Sequence, residues 1–135
     1  MTWEDLGYPP EMARMKQKRY GAPTKRDVIY AKVSAAFKTV GARRRYNFSR
    51  ESEWRAYYSD IIAALQVDFP ESISKDDIIA IHRHAHPASD KTVIGMDVWD
   101  FVTDRIAKRI RDWEFAEAEY EARRAEVIAE HEAQQ

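Results

Sequence analysis

The chain has 135 residues, 44% of them hydrophobic and 33% charged, which is typical of one globular domain built from long, solvated helices. It contains no cysteine, so disulfides, cysteine-ligated zinc, thiolate nucleophiles and iron–sulfur clusters are excluded. The first residues carry no basic segment followed by an apolar run, and no stretch approaches about 18 uninterrupted apolar residues. We therefore expect a cytoplasmic protein without a membrane segment.

The net charge of −1 is the sum of two halves with opposite signs. Residues 1–58 contain 13 Lys or Arg against 6 Asp or Glu, whereas residues 59–135 contain 9 against 17. Such asymmetry is typical of an anion-binding surface joined to an acidic element that faces solvent or a partner. It also arises when an acidic helix neutralises a basic face of the same molecule, and the sequence leaves both explanations open.

Apolar residues recur every three or four positions in nearly every segment, which predicts an all-α fold. We expect a small bundle of four main helices, a short N-terminal helix and an overlong C-terminal helix that projects or mediates association. An irregular arm over residues 1–9 precedes the short helix, which begins near Pro10 and ends before Gly21.

The second helix is predicted over residues 24–40, where Thr24 and Asp27 have the spacing of a capping box. Gly41 is predicted to end it in the left-handed conformation. The third helix is predicted over residues 49–68, with a wide apolar stripe that suits the centre of the core.

The fourth helix has the clearest start, because Ser74 and Asp77 form a second capping box and Ile73 with Ile78 forms a hydrophobic staple. Pro87 limits it to about three turns.

The last helix is predicted from Asp97 to about residue 130, a length of about 50 Å. Its distal part, residues 114–135, is rich in Ala, Glu and Arg, so we separate it as an extension of a helical domain over residues 1–113. This extension is either a solvated helix held by Glu–Arg pairs or a coiled-coil-like arm for a second copy or another protein.

Basic residues and interleaved aromatic rings in the first half are candidate contacts for nucleic acid or another polyanion. Arginines between two helices can reach phosphates, and a tyrosine there can stack on an exposed base. The candidate residues are Lys16, Lys18, Arg19, Lys25, Arg26, Lys38, Arg43, Arg44, Arg45, Tyr46 and Arg50.

Two more specific sites are weaker interpretations. The third and fourth helices could form a DNA-reading helix-turn-helix, but Asp76 and Asp77 would then face phosphates with like charge. His82 and His86 are four residues apart and could share a metal, with Asp90 as a third ligand. Histidines that interact with the end of a helix are the simpler interpretation, and we expect neither a metal nor a cofactor.

The sequence has no phosphate-binding glycine loop and no nucleophile elbow, so we expect a non-enzymatic binding protein. The first hypothesis is nucleic-acid or polyanion binding through phosphate contacts, with little sequence specificity and with self-association through the last helix. The second is an assembly, adaptor or inhibitor protein, with a viral origin as one option, that docks through its arm or last helix. The candidate partner contacts are Trp3, Leu6, Tyr8, Trp113, Tyr120 and Val127.

Overall fold

The structure, a computed structural model, describes residues 1–86 and 97–134. Of residues 95 and 96 it describes the backbone alone. Within the described part of the chain it confirms the all-α fold and contains no strand. The elements are α1 (Pro10–Tyr20), α2 (Lys25–Arg43), α3 (Glu51–Leu65), a 3₁₀ turn (Lys75–Asp77), α4 (Ile78–Ala85) and α5 (Gly95–Ala133).

The main core lies between α2, α3, α4 and α5. The most extensive helix contacts join α2 to α5 and α2 to α3. Val33 and Val40 of α2, Ile61 of α3, Ile81 of α4 and Ile106 of α5 are completely buried there. Helical spacing brings these residues onto one face of each helix, as the sequence predicts.

The second helix begins as predicted, because the Thr24 side chain accepts from the Asp27 backbone and Asp27 accepts from the Thr24 backbone. The predicted end at Gly41 is wrong, since the helix continues to Arg43. Among the described residues only Gly7 and Gly21 have positive φ, so Gly41 has an ordinary helical backbone.

Replacing Gly41 with alanine is expected to stabilise the protein by about 0.5–1 kcal/mol, because glycine is unfavourable inside a helix. Gly41 is exposed, and an added Cβ would meet no atom within 4 Å. Urea denaturation of the variant measures the gain. The matched control is Gly21→Ala, at a backbone φ of 76°, which should cost about 1–2 kcal/mol. A destabilised Gly41→Ala would contradict the helical assignment.

The third helix is shorter than predicted at both ends, since it runs from Glu51 to Leu65 instead of over residues 49–68. The Ser49 backbone N–H and hydroxyl both donate to the Asn47 side-chain oxygen, the hydroxyl at 2.6 Å. This local turn uses the hydroxyl that would otherwise cap the helix. At the other end, the Gln66 side-chain amide donates to the Ile73 carbonyl and holds the connection to α4 in place.

The start of α4 is held against α5 by a buried carboxylate. The predicted capping box forms, with the Ser74 backbone N–H donating to Asp77 at 2.9 Å and a 3₁₀ turn preceding the helix. The Asp77 side chain, only 3% exposed, also accepts hydrogen bonds from Arg105 and, in a bidentate arrangement, from Arg109. The helix ends at Ala85, and the predicted breaker Pro87 lies outside the described residues.

The arm and α1 form a small unit of their own beside the bundle. The Trp3 indole N–H donates to the Gly21 carbonyl at 2.8 Å, so the arm closes onto the end of α1. Trp3 and Ala13 are buried, yet neither belongs to the main core cluster. The predicted α1 bounds are confirmed, with Pro10 in the first turn.

The last helix, α5, has 39 residues, which corresponds to about 58 Å. It begins at Gly95, two residues before the predicted Asp97. From Arg111 to residue 134 every side chain is exposed. No described helix is both long enough and apolar enough to cross a membrane.

Candidate nucleic-acid interface

Part of the basic half is neutralised within the molecule. Arg26 donates to Asp104 at 2.8 Å and to Asp100 at 2.9 Å, and these two carboxylates raise the pKa of its guanidinium. Lys25 lies 3.6 Å from Glu114. Arg26 and Lys25, both predicted anion contacts, therefore form ion pairs between α2 and α5. This is what we expect if the acidic helix neutralises part of the basic half.

The connection between α2 and α3 holds its own ion pair. Arg44 donates to Glu53 at 3.0 Å, and its guanidinium lies 4.1 Å from the centroid of the Tyr46 ring. The Tyr46 hydroxyl donates to Asp60 at 2.9 Å. These contacts fix the position of the Tyr46 ring and leave Arg44 partly neutralised.

We call residues 43–50 the basic turn. Arg43, Arg45 and Arg50 are exposed there, and none of them has an acidic partner among the described residues. Arg43 belongs to the last turn of α2 and not, as predicted, to the loop. Lys18 of α1 is likewise exposed and unpaired within the described chain. The positive charge available to a ligand is therefore concentrated in the basic turn and on α1.

A cavity of about 500 Å³ lies between the arm, α1 and α2. Two lysines line it. The Lys16 ammonium lies 4.7 Å from the Tyr8 ring centroid and 5.2 Å from that of Trp3, and the Lys38 ammonium lies 5.6 Å from that of Trp99. The volume is within the range of small-molecule sites. Ammonium groups beside aromatic faces suit a ligand that combines a flat ring with negative charge.

A second cavity, of about 340 Å³, adjoins the first, and Lys38 and Trp99 line both. Phe48, Tyr57 and His86 form other parts of its wall. Phe48 is 43% exposed although it is a large apolar side chain. An exposed ring beside the basic turn is a surface on which a base can stack.

Ring contacts connect the first cavity to the basic turn, and we call this chain of rings the aromatic track. Its centroids are separated by 5.0–6.3 Å from each ring to the next. Phe48 lies beside the track, 5.0 Å from Tyr57. The track runs through Tyr30, Trp99, Phe37, Tyr57 and Tyr46. Phe37 is buried in the core, and the other four rings are half-buried.

Four of the predicted partner contacts, three in the arm and one on α5, lie at different places in the fold. Trp3 is buried, so it is not accessible as that prediction requires. Leu6 and Tyr8 line the first cavity. Trp113, which is exposed, lines a shallow cavity of about 430 Å³ beside the connection to α4.

Arg19 of α1 is one of the predicted anion contacts. Its guanidinium lies over the Tyr20 ring, 5.3 Å from the ring centroid.

Three residues that the sequence did not predict also line the site: Tyr30, Ser34 and Trp99. Tyr30 and Ser34 precede Lys38 by eight and four residues, so the three share one face of α2. That spacing could have identified them. Trp99 is half-buried, since it packs against the core and also lines both cavities.

The histidine cluster packs on aromatic rings. His82 stacks on Trp54 at 3.7 Å with the ring planes 6° apart, and its ring lies 5.0 Å from that of His86. Burial, the nearby His86 and Arg55 lower the pKa of His82. Among the described residues no group of three histidine or acidic side chains could hold a metal, and Asp90 lies outside them.

The helix-turn-helix interpretation is not supported by the position of α4. A reading helix presents its N-terminal residues to the groove. Here the Asp77 carboxylate at that end is buried and bound to Arg105 and Arg109. The helix has only eight residues, and its start lies against α5.

No known family model matches the chain, and neither a curated protein nor a solved structure is detectably similar to it.

Proposed function

We propose that the protein binds single-stranded nucleic acid along the aromatic track, without catalysis and with little sequence specificity. The observation that supports this most strongly is the meeting of the two cavities at Lys38 and Trp99. A positive groove with aromatic rings at intervals is the general arrangement by which proteins hold single strands.

Each part of the surface has a separate role in this proposal. Arg43, Arg45 and Arg50 contact phosphates, because they are exposed and unpaired among the described residues. Bases stack on the exposed Phe48 ring and on the accessible parts of the half-buried rings of the track, and stacking accepts any base. Lys16 and Lys38 hold the backbone between them. We place this activity in the cytoplasm.

Fluorescence anisotropy with a labelled single-stranded DNA and RNA of mixed sequence, at two salt concentrations, tests the proposal. We expect binding that weakens with salt, because phosphate contacts release counterions. We also expect tighter binding of single strands than of a duplex of equal length, since paired bases are not free to stack. Absence of binding at low salt, or equal displacement by heparin and by single strands, would contradict the proposal.

The variant Lys38→Glu is expected to weaken single-strand binding by about tenfold or more, because a repelling charge replaces the cation between the two cavities. The matched control is Lys75→Glu, an exposed lysine of the 3₁₀ turn with the same charge change. Circular dichroism checks that both variants are folded. Equal affinities for Lys38→Glu and Lys75→Glu would move the binding surface away from the cavities.

A second candidate function is assembly through α5. The observation that favours it is the exposure of Trp113, Tyr120 and Val127, which are 59%, 66% and 65% accessible. Large apolar side chains aligned on one helix face are typical of an interaction surface. This candidate corresponds to the adaptor or inhibitor hypothesis and does not depend on nucleic-acid binding.

A further inference from the structure

The apolar row on α5 continues the row that packs in the core. Trp99, Ile106, Trp113, Tyr120 and Val127 follow one another at intervals of seven residues, so they lie on nearly the same face. The first two contribute to the main core, and the last three are exposed. The helix therefore carries its packing face beyond the end of the bundle that covers it.

We call residues 114–133 the distal segment. It contains seven glutamates and two arginines, so its net charge is −5 with the histidine neutral. Glu117 and Glu121 lie one turn apart beside the apolar row, and both are exposed and unpaired within the described chain. An occupant of this face therefore needs apolar side chains flanked by positive charge.

The outer face of α1 has this composition. Met12 and Met15 are 46% and 72% exposed on a helix that has no extensive contact with the other helices. Lys18 lies one turn from Met15, and Arg14 lies one turn from Lys18; both are exposed and without acidic partners among the described residues. Methionine adapts its shape readily to a partner surface. The apolar face of the distal segment is therefore flanked by acidic residues, and that of α1 by basic ones.

We propose that the distal segment of one copy docks on α1 of a second copy. The match extends to length, because the 11 residues of α1 span about 16 Å, while Tyr120 and Val127 of the distal segment are separated by about 10 Å along α5. This inference deepens the assembly function proposed for α5, on which it rests, by naming the partner surface.

Within one copy, the ion pair of Glu114 with Lys25 leaves the apolar side chains of the distal segment uncovered. The segment belongs to one uninterrupted helix, and each of its described side chains is exposed although α1 is present in the same chain. Pairing of two distal segments with each other would oppose −5 with −5, whereas α1 supplies four cations against one glutamate. Charge therefore selects α1 of the second copy.

Sedimentation velocity of the full chain over a wide dilution series tests the proposal. We expect reversible, salt-sensitive association of the unmodified protein. Reversing charge on either surface, with Glu117→Lys/Glu121→Lys or with Arg14→Glu/Lys18→Glu, should weaken association by at least about tenfold. Both pairs are exposed, so the variants should fold, and circular dichroism checks this.

Combining the two reversals in one chain, or mixing the two variants, should restore association, because opposite charges then face each other again. The matched control Lys75→Glu should leave it unchanged. A monomeric unmodified protein would overturn both self-assembly and this inference, without affecting nucleic-acid binding. Association that persists in Arg14→Glu/Lys18→Glu, or that is not restored by the combination, would indicate pairing between distal segments and overturn the inference alone.

Discussion

Replacing Asp77 with alanine is expected to destabilise the protein by about 2–4 kcal/mol, because it removes a helix cap and the shared counter-ion of two arginines that are only partly screened by solvent. The Asp77 carboxylate accepts from Arg105 at 2.8 Å and from both terminal nitrogens of Arg109 at 2.6 Å. It also closes the capping box with Ser74. The substitution therefore removes the connection between α4 and α5 and the helix cap together.

The same carboxylate should make stability depend on acid pH. Burial alone would raise the pKa of Asp77, but hydrogen bonds from Arg109, the Ser74 backbone and Arg105 outweigh it and lower the pKa to about 2. Since the unfolded pKa is about 3.8, the stabilisation is complete above that value and is lost as pH falls through 2. The difference between the original protein and Asp77→Ala should therefore shrink below about pH 4.

Urea denaturation followed by circular dichroism measures both effects. The matched control is Asp76→Ala, which removes a neighbouring exposed carboxylate and should change the free energy of unfolding by less than about 1 kcal/mol. A loss for Asp77→Ala as small as that of the control would mean that the two arginines are satisfied by water.

The second large effect is expected for the basic turn. Replacing Arg43, Arg45 and Arg50 together with alanine should weaken single-strand binding on the order of tenfold or more at low salt. The slope of log affinity against log salt should become shallower by about 2, since each phosphate contact on a single strand contributes about 0.7. The loss should be similar for all sequences, because phosphates carry no base information.

A control variant that removes the same number of positive charges elsewhere distinguishes local phosphate contacts from the effect of the net charge of the protein. Lys75, Arg83 and Arg111 are exposed cations in the acidic half, also unpaired among the described residues. Their triple replacement with alanine removes the same total charge and should reduce affinity much less. Equal losses for the two triple variants would show that net charge, and not the basic turn, governs binding.

The sequence was sufficient to predict those parts of the fold that depend only on residues close together in the chain. Both capping boxes, at Thr24 and Ser74, form as predicted because each involves residues three positions apart. The end of α2 was not predictable in this way. Gly41 suits a left-handed end, but the helix continues, with Val40 completely buried in the core one residue earlier.

The candidate site depends on contacts between distant segments, which a single sequence does not reveal. Lys38 and Trp99 meet although 60 residues separate them in the chain. From the sequence, Arg26 is predicted to be available to an anion, but the fold brings its guanidinium to the carboxylates of Asp100 and Asp104. The charge pattern left internal neutralisation and an anion-binding surface open as alternatives, and it could not assign individual residues to either.

The pairing of α2 with α5 has a consequence for the order of folding. These helices make the most extensive contact in the bundle, and Arg26 joins residues 74 and 78 positions away. Long closures of this kind slow the formation of a native structure relative to helices that pair locally. During synthesis, the core formed by the apolar faces of α2 and α3 cannot be completed until Ile106 of α5 has emerged from the ribosome. The nascent chain therefore exposes an unfinished core for most of its synthesis.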